Sequence, residues 1–581
     1  MNLLNNLDFS HRCKIPFFYK STIDSCLFSS SFKHKNILIN SFVNMKNYYH
    51  LLTLRRSKGL FSSNSRWVHQ TSTAIQRQHG HRHPPPPPPL PPPSFQTTRS
   101  NLTSNHYYHS QSSTLHTSQL QLPYHEDDSS PLHYHVTVKG RDVISSAKSN
   151  QRYWLPLSNL DLLLPPVEAG VFFCYRKKDR DMSSESVVNS IKRSLAGILS
   201  SFYPLAGEIV ANKQGEAEVV CNNGGVEFVH AHADIELKDL DLHHPDDSVK
   251  GKLVPNINRG VLSVQVTEFN CGAIIISCAI DHRVADAYSL NMFLVAWAKY
   301  AKSGTMSDVD IPSFRPSIFN SRRPPTYAKS LDNLYIPISS IPPPSSFDQG
   351  PLHSRMYYIH AQSIDHLQSE ASSQESKRSK LLSFTAFLWK LLAHGGDDAV
   401  NTTSRMGVVV DGRRFLADEQ PSSPEKNHFG NVLSVPFGVA THSDLKAMPL
   451  NEIADRVHRF VAEATNEEHF RGLIDWVELH RPKPAVARIY FGVEKSEGEA
   501  VVVSSGRDLP INDMDFGWGR PEFGSLHFPW GSRTGYISTM PSGKRIGDWV
   551  VYVHLKQKDL DLIERMAPNV FKPLTHSLAF D

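Results

Sequence analysis

The sequence predicts an α/β fold of two similar-sized halves, each a mixed β-sheet with flanking helices, joined by one long crossover. Short alternating or wholly apolar runs begin near residue 131 and are interleaved with segments of helical spacing. That pattern stops over residues 304–350, which are rich in proline, and resumes from residue 351 to residue 581. We therefore predict domains over 131–303 and 351–581 with a linker over 304–350, and a ligand cleft between the halves.

Residues 1–130 differ from the rest and are predicted to form a disordered extension. They are rich in Ser, His and Asn and contain HGHRHPPPPPPLPPP at 79–93, a run that favours an extended conformation. The residues around this run offer too little apolar surface to offset the conformational entropy lost on ordering. Before Glu126 there are 13 Lys and Arg against two Asp, a net charge of +11, which leaves −7 for the remainder. The basic first 80 residues have the composition of an organelle transit peptide. The alternative is upstream sequence with no targeting role, such as a segment wrongly joined to the coding region.

The first half shows strand patterns and two helical patterns in alternation. A proline and a glycine in YPLAG, at 203–207, end the first helix. The predicted strands are 133–144, 171–176, 217–221, 226–231, 262–269 and 272–280, and the predicted helices are 186–202 and 287–301.

The linker is predicted to be too rich in proline for regular elements, and the second half then repeats the mixture of strands and helices. Its predicted helices are 365–373, 383–393, 451–468 and 557–566, and its predicted strands are 405–411, 500–505 and 548–555.

Composition excludes several classes of function. The mildly acidic body lacks the basic surface of a nucleic-acid-binding protein, and no apolar run reaches the ~18 residues of a membrane span. The six cysteines form no C-x-x-C pair, which is typical of a reducing compartment and of a chain without a metal site. We expect a cytoplasmic monomer, or a mitochondrial or plastid protein if the extension is a transit peptide.

A histidine followed four residues later by an aspartate is the first chemical candidate. At His282 the motif follows GAIIISCAI, a run that predicts a strand covered on both faces, and it precedes a helix. Polar residues at the carboxyl end of such a strand are where α/β proteins place ligands. The other copies are expected in a strand or in solvated turns. The four copies of this spacing are His282/Asp286, His230/Asp234, His243/Asp247 and His394/Asp398.

Cys278 is a poor candidate for a nucleophile activated by His282. Along a strand of ~3.3 Å per residue the two lie about 13 Å apart, whereas a nucleophile and its base need about 3 Å. Unless the strand breaks between them, His282 is better placed as a general base acting on a bound substrate. Asp286 would then orient either His282 or a distant cation.

A second motif, DFGWG, occupies Asp515, Phe516, Gly517, Trp518 and Gly519. With the first motif it makes residues 131–581 resemble the plant BAHD acyltransferases, which use acyl-CoA. Further family-like segments are LSNLDLL (157–163), FYPLAG (202–207), VQVTEFNCG (264–272), VVDGRRF (409–415) and FGN (429–431).

The resemblance implies two domains like chloramphenicol acetyltransferase with a channel between them. Acyl-CoA would be a co-substrate rather than a bound cofactor, and the other partner would be a small alcohol acceptor. It also implies that His282 deprotonates the acceptor and that Asp286 pairs with Arg413 to hold the loop. The DFGWG motif would be structural. Ser504 and Ser505 are candidate channel hydroxyls, or simply two serines at a strand end.

The sequence is most similar to the hydroxycinnamoyl and hydroxycinnamyl-alcohol branch of the family. This resemblance implies a hydroxycinnamoyl or an acetyl group as the acyl group and leaves the acceptor open. An aromatic alcohol and shikimate are equally compatible, and either Arg481 or Arg488 could take a carboxylate. An amine acceptor is a further alternative. Ala287, where the family commonly has glycine, and the unusual extension motivate a catalytically idle relative that binds CoA or a metabolite. A second departure from the family pattern is that the D-G-R segment continues with Arg414-Phe415. Neither departure removes a reacting group, so we expect activity to survive both.

Overall fold

The computed structural model describes residues 133–148, 151–176, 184–306, 311–341, 350–374, 376–395, 402–417, 424–490, 498–530 and 534–580. The predicted disordered extension, residues 1–130, lies outside the described residues. None of the helices described is both long enough and apolar enough to cross a membrane.

The described part of the first half contains eight strands and three helices, and each pattern predicted there coincides with one of them. The strands are β1 Val136–Ile144, β2 Tyr153–Pro156, β3 Glu168–Tyr175, β4 Glu208–Ala211, β5 Ala217–Cys221, β6 Val226–Ala233, β7 Leu262–Phe269 and β8 Ile274–Asp281. The helices are α1 Ser184–Ile198, α2 Pro245–Ser248 and α3 Ala287–Ser303.

The linker contains more regular structure than its prolines predicted. It forms 3₁₀ turns at Pro316–Phe319, Lys329–Asn333 and Ile338–Ser340, and a short strand, β9, at Tyr335–Pro337. A three-residue strand that pairs with a distant partner leaves no periodic signal, so the composition alone could not reveal it.

The second half contains the remaining elements. Its strands are β10 Leu352–Ile359, β11 Thr403–Val408, β12 Val410–Asp411, β13 Leu433–Ser434, β14 Phe437–Thr441, β15 Ala485–Ala487, β16 Ala500–Ser505, β17 Phe523–His527, β18 Gly535–Pro541, β19 Trp549–Lys556 and β20 Lys572–Pro573. Its helices are α4 Ala361–Glu370, α5 Lys380–Ala393, α6 Arg413–Leu416, α7 His442–Ala447, α8 Leu450–Glu463, α9 Glu467–His480, α10 Gln557–Met566 and α11 His576–Ala579.

One predicted helix, 451–468, is wrong in its length. The chain leaves the helical path after Glu463, and Asn466 caps a new helix, α9, by accepting a hydrogen bond from the His469 amide at 2.9 Å. An asparagine side chain that satisfies a free amide at a helix start favours this break. The prediction passed over that cap and missed α9.

Two large sheets carry the fold, and both are mixed, which confirms the predicted class. One sheet has the order β1-β6-β7-β8-β3-β17 and the other has the order β14-β11-β16-β18-β19-β10-β20. In the first sheet β6 and β7 run parallel and the other pairs are antiparallel. The edge strand β17 belongs to the second half, so that half contributes a strand to the sheet of the first.

The central strand β8 lies between β7 and β3, with every residue from Ile274 to Ile280 buried. On the first sheet α1 and α3 pack with Phe202, Phe293 and Trp297 fully buried. Each such large apolar side chain contributes about 1.5–3 kcal/mol when removed from water. The end of β8 is therefore a rigid platform for the turn that follows it.

Candidate active site

The turn between β8 and α3 holds the predicted histidine. The His282 amide donates to the Val167 carbonyl at 2.9 Å. The Asp281 carboxylate accepts from the Arg283 amide at 3.0 Å and from the Arg283 guanidinium at 3.0 and 2.6 Å. These contacts fix the backbone on both sides of His282 at the end of the central strand β8.

The imidazole of His282 faces an asparagine from the other half of the chain. His282 Nδ1 lies 3.2 Å from Asn431 Oδ1, and Asn431 Nδ2 donates to the His282 carbonyl oxygen at 2.9 Å. An amide oxygen accepts and cannot donate, so Nδ1 carries the proton in this arrangement and Nε2 keeps a lone pair. Nε2 is thus the atom that can act as a base.

Asp286 has different partners, in spite of its place in the same turn. Its Oδ1 accepts from the Ser289 amide at 2.9 Å and from Arg413 Nη2 at 3.1 Å. Its Oδ2 accepts from Arg413 Nη1 at 2.7 Å and from the Val432 amide at 3.1 Å. Both side chains of this ion pair are almost fully buried, 1% exposed for Asp286 and 3% for Arg413. Asp286 therefore caps α3 and binds the arginine of the second half.

Arg413 also fixes the loop that carries Asn431. Its Nη2 donates to the carbonyl oxygens of His428 and Gly430, at 3.3 and 2.8 Å, and to Ser289 Oγ at 3.0 Å. Burial raises the pKa of the Asp286 carboxyl, but the charge and hydrogen bonds of Arg413 outweigh it and leave that pKa below its usual value. The pair remains ionised at neutral pH, and it links the two halves beside His282.

A cavity of about 950 Å³ opens between the halves and is lined by residues of both, His282 among them. Phe528, Trp530, Tyr490 and Tyr536 form what we call the aromatic wall of this cavity. The ring centroids of His282 and Phe528 are 5.8 Å apart, and the Phe528 ring lies 5.0 Å from that of Tyr536. The Trp530 and Tyr490 rings are 4.8 Å apart. The space next to the histidine is therefore suited to a flat aromatic group.

Ser504 and Ser505, at the end of β16, line the same cavity. Ser504 is opposite Ser538 in the parallel pairing of β16 with β18. Burial raises the pKa of the Tyr536 hydroxyl, while hydrogen bonds with Ser504 and Ser538 act in the opposite direction. The cavity thus offers several hydroxyl groups beside the aromatic wall.

Cys278 is not available as a nucleophile. Burial raises the pKa of its thiol to about 12, and β8 continues without a break to Asp281. The thiol therefore stays protonated at neutral pH, and the separation expected along a strand applies.

The other copies of the histidine and aspartate spacing lie outside the lining of this cavity. His230, on β6, has Nε2 2.7 Å from Glu268 Oε1. His243 was predicted in a solvated turn, and that prediction is wrong. Its Nδ1 lies 2.9 Å from the Met356 carbonyl oxygen, and its ring packs 5.2 Å from that of Tyr357. His394 is exposed at the end of α5, and Asp398 lies outside the described residues.

The DFGWG motif packs at the far end of α3. Asp515 Oδ1 accepts from the amides of Gly517 and Gly519 at 2.9 and 3.0 Å, and Lys302 Nζ lies 2.7 Å from Oδ2. Gly517 and Gly519 have φ values of +112° and +114°, which favour glycine. Because α3 has 17 residues, the motif lies roughly 25 Å from the turn of His282.

The two rings of this motif are part of the core of the first half. The Phe516 ring lies 5.1 Å from that of Trp297 on α3 and 5.6 Å from that of Trp518. The Trp518 ring also contacts the Tyr175 ring, at 6.5 Å. These contacts attach a segment of the second half to the helix that begins at the motif of His282.

Neither Arg481 nor Arg488 is placed as expected for an arginine that binds the carboxylate of an acceptor. Arg481 donates to both carboxylate oxygens of Glu216, at 2.6 and 2.7 Å, and to Asn159 Oδ1 at 3.0 Å. It therefore bridges the halves. Arg488 begins a 3₁₀ turn, Arg488–Tyr490. Ala487 and Tyr490 line the cavity, whereas Arg488 is not among the described residues that line it.

Sequence reasoning gave no role to Asn431 or Asp161, although both lie in family-like segments, FGN and LSNLDLL. A lone asparagine in a loop carries no chemical signal until its partner is known. It lies 149 residues from His282, and only the folded chain brings them together.

Comparison with known proteins places the chain among acyl transferring enzymes. A family model described as the Transferase family matches residues 134–569. A hydroxycinnamoyltransferase of Narcissus pseudonarcissus is 27% identical over 67% of this chain and 89% of its own length. Shikimate O-hydroxycinnamoyltransferase of Nicotiana tabacum is 25% identical, with 74% and 98% covered. Anthranilate N-benzoyltransferase protein 1 of Dianthus caryophyllus is 27% identical, with 67% and 89% covered.

Two solved structures have a similar fold. Vinorine synthase superposes with a TM-score of 0.56 at 20% identity, over 76% of this chain and 99% of its own. The F. graminearum protein TRI101, solved with coenzyme A and deoxynivalenol, superposes with a TM-score of 0.59 at 14% identity, over 72% of this chain and 99% of its own.

Proposed function

Because the chain belongs to the Transferase family, the BAHD acyltransferases, we propose that it transfers a hydroxycinnamoyl group from acyl-CoA to the hydroxyl of a small aromatic alcohol. The observation that carries the proposal is His282, whose Nδ1 faces Asn431 Oδ1 at 3.2 Å while the ring lines the cavity between the halves. This geometry leaves a basic nitrogen, Nε2, for a substrate.

The proposed reaction needs one base and a set of hydrogen-bond donors. His282 Nε2 takes the proton of the acceptor hydroxyl while its oxygen attacks the thioester carbonyl. The carbonyl oxygen becomes an oxyanion, for which the hydroxyls of Ser504 and Ser505 are the proposed donors. When the carbon–sulfur bond breaks, the CoA thiolate receives the proton from His282. Histidine is thereby restored without a covalent enzyme intermediate.

The aromatic wall supports an aromatic acyl group. Its Phe528 ring lies 5.8 Å from the His282 ring, and the other three rings line the same cavity. Aromatic pairs favour edge contacts such as those that Phe528 makes with His282 and Tyr536. The narcissus and tobacco relatives carry hydroxycinnamoyl in their names. Acetyl-CoA, which the sequence left open as a donor, would leave this wall largely uncovered.

Of the described residues, Lys380, Arg414 and Arg507 line the cavity, whereas the two arginines considered for an acceptor carboxylate such as that of shikimate do not. Arg481, one of the two arginines considered for that role, is held by Glu216 and Asn159. The carnation relative is named for an N-acyl transfer, and His282 could deprotonate an amine by the same step. Product analysis distinguishes acylation of oxygen from acylation of nitrogen.

We further propose a monomeric enzyme of a reducing compartment such as the cytoplasm. The cysteines in the described part of the chain, Cys174, Cys221, Cys271 and Cys278, are free thiols, and three of them are buried. Free buried thiols are typical of proteins that do not meet an oxidising environment.

Thiol release tests the proposal. Purified enzyme is given coumaroyl-CoA or acetyl-CoA with coniferyl alcohol, shikimate or an aromatic amine, and free CoA is measured with the products identified by mass. We expect coumaroyl-CoA with coniferyl alcohol to be the best pair. His282→Ala should lower kcat by about 10²–10⁴, the usual contribution of a general base.

His230→Ala is the matched control, because it removes a histidine of the same spacing that binds Glu268 outside the cavity, and it should retain activity. Undiminished turnover by His282→Ala would overturn the base assignment. Thermal stabilisation by CoA without thiol release from any pair would instead indicate the idle binding relative.

A further inference from the structure

We propose that Asp161 is a positioning residue for the reaction, because its carboxylate fixes the amide orientation of Asn431 and through it the tautomer of His282. The inference rests on the proposed function, in which His282 is the base. Asp161 belongs to the first half of the chain and Asn431 to the second, so the tautomer depends on contact between them.

The Asp161 carboxylate is buried and surrounded by donors. The residue is 4% exposed. Its Oδ2 accepts from the Ser158 amide at 2.9 Å and from Ser158 Oγ at 2.6 Å. Its Oδ1 accepts from the Asn431 amide at 2.6 Å and from Asn431 Nδ2 at 3.0 Å. A site of four donors is built for an ionised carboxylate, which can only accept.

The orientation of Asn431 follows from these partners. The two ends of a side-chain amide have nearly the same shape, so the surrounding donors and acceptors decide which end points where. Asn431 Nδ2 has two acceptors, Asp161 Oδ1 and the His282 carbonyl oxygen. A reversed amide would place its oxygen against both of these oxygens.

The reversed amide would also disable the base. It would present an N–H to His282 Nδ1, which could then only be the unprotonated nitrogen. The proton would move to Nε2, and Nε2 could no longer accept the proton of the acceptor hydroxyl. The negative charge of Asp161 therefore selects the tautomer that has its lone pair in the cavity.

The backbone permits this close contact through a glycine. Gly430 has a φ of +158°, and a Cβ there would lie 3.1 Å from Asp161 Oδ1 and 2.6 Å from His428 Nε2. Asp161 has room to approach Asn431 because position 430 has no side chain.

The charge of Asp161 is itself sensitive to its donors. Burial raises the pKa of its carboxyl to about 6, and the hydrogen bonds from Ser158 and Asn431 act against that rise. Beyond Gly430 lie the ion pair of Asp286 with Arg413 and the neutral ring of His428, whose pKa burial lowers to about 3. At neutral pH Asp161 is thus mostly ionised, because its pKa of about 6 lies only slightly below the pH.

The first test is Asp161→Asn, which preserves shape but removes the charge. We expect kcat to fall by about 10²-fold with the KM for acyl-CoA within about twofold, since the variant leaves the cavity lining in place. Asp548→Asn is the matched control: it removes another buried carboxylate, which accepts from the Tyr358 hydroxyl and the Ala361 amide, and it should keep the wild-type kcat.

A double-variant cycle separates positioning from support of the fold. If Asp161 acts through Asn431, then Asp161→Asn combined with Asn431→Ala should lower kcat no further than Asn431→Ala alone. Two independent structural losses would multiply instead, and that result would overturn the inference.

Ser158→Ala is a second test of the role of Asp161, for the case that Asp161→Asn does not fold. Losing the hydroxyl donor raises the pKa of Asp161 further, so the acid limb of the kcat profile should move to higher pH while kcat at pH 8.5 stays within about twofold of wild type. An unmoved limb would contradict the inference.

Loss of activity in His282→Ala together with a wild-type kcat in Asp161→Asn would reject the role of Asp161 and leave the proposed function intact. Activity in His282→Ala would reject the proposed function itself.

Discussion

Two side chains of the same turn, His282 and Asp286, have opposite surroundings. Both residues border the cavity, but the His282 ring meets a single amide there, whereas the Asp286 carboxylate is buried among an arginine and backbone donors. In the proposed reaction His282 is the base, and both oxygens of Asp286 are occupied by Arg413 and backbone amides. The spacing of four residues corresponds to the turn between β8 and α3.

The ion pair of Asp286 with Arg413 predicts a large loss of stability when one partner is removed. Arg413→Ala leaves a buried carboxylate without its charge partner, which typically costs about 3–5 kcal/mol. Urea unfolding at pH 7 should show that loss in the free energy of unfolding. Asp411→Asn is the comparison, because Asp411 Oδ1 meets Arg413 at 3.3 Å with a side chain 40% exposed.

A half-exposed contact of this kind contributes about 0–1 kcal/mol, so Asp411→Asn should change little. Equal effects of the two variants would show that burial does not set the strength of the pair.

At the scale of elements, the helix α3 joins two sites. Its first turn begins at Asp286, and its last turn holds Lys302 against Asp515 of the DFGWG motif. The contacts of the motif with this helix are compatible with the predicted structural role.

Asp515 predicts a stability effect that depends on pH. A hydrogen bond with Lys302, helped by the amides of Gly517 and Gly519, lowers the pKa of this carboxyl from 3.8 to about 2. A lowered folded-state pKa means that the carboxylate stabilises the fold above the unfolded value and loses this effect as pH falls through the folded value. Asp515→Asn should therefore lower the melting temperature at pH 7 and converge with wild type near pH 2.

Asp513→Asn serves as the control for this comparison, since Asp513 is an exposed aspartate two residues earlier. It should follow the wild type over the whole range. A constant difference between Asp515→Asn and wild type from pH 7 to pH 2 would contradict the assigned charge effect.

Elements with a strong period could be predicted from the sequence, and contacts between distant segments could not. The run at β8 and the helical spacing of α3 were sufficient to place His282, because both are long and apolar on defined faces. The strand β17 has five residues, FGSLH, and no local signal assigns it to the sheet of the other half. Asn431 and Asp161 were passed over for the same reason: their chemistry exists only in the contact.

At the scale of the whole molecule, the halves share one sheet. Strand β17 pairs antiparallel with β3, with Gly524 opposite Phe173. Arg481 with Glu216 and Arg413 with Asp286 add two ion pairs across the same boundary. A ligand cavity between such halves is bounded by continuous secondary structure rather than by a hinge.

This shared sheet predicts that the two halves unfold together. In a urea series followed by hydrogen exchange and mass spectrometry, peptides from α3 and from α5 should become exposed at the same denaturant concentration, as in a two-state transition.

Gly524→Val tests whether the shared sheet is the cause, because a Cβ at position 524 would lie 2.7 Å from Phe173 Cδ1. Such overpacking costs about 1–3 kcal/mol, and both midpoints should fall together. Gly140→Val, at a position of the same sheet with open space around it, should leave both unchanged. If only the peptides of α3 moved in Gly524→Val, the halves would be independent units that merely touch.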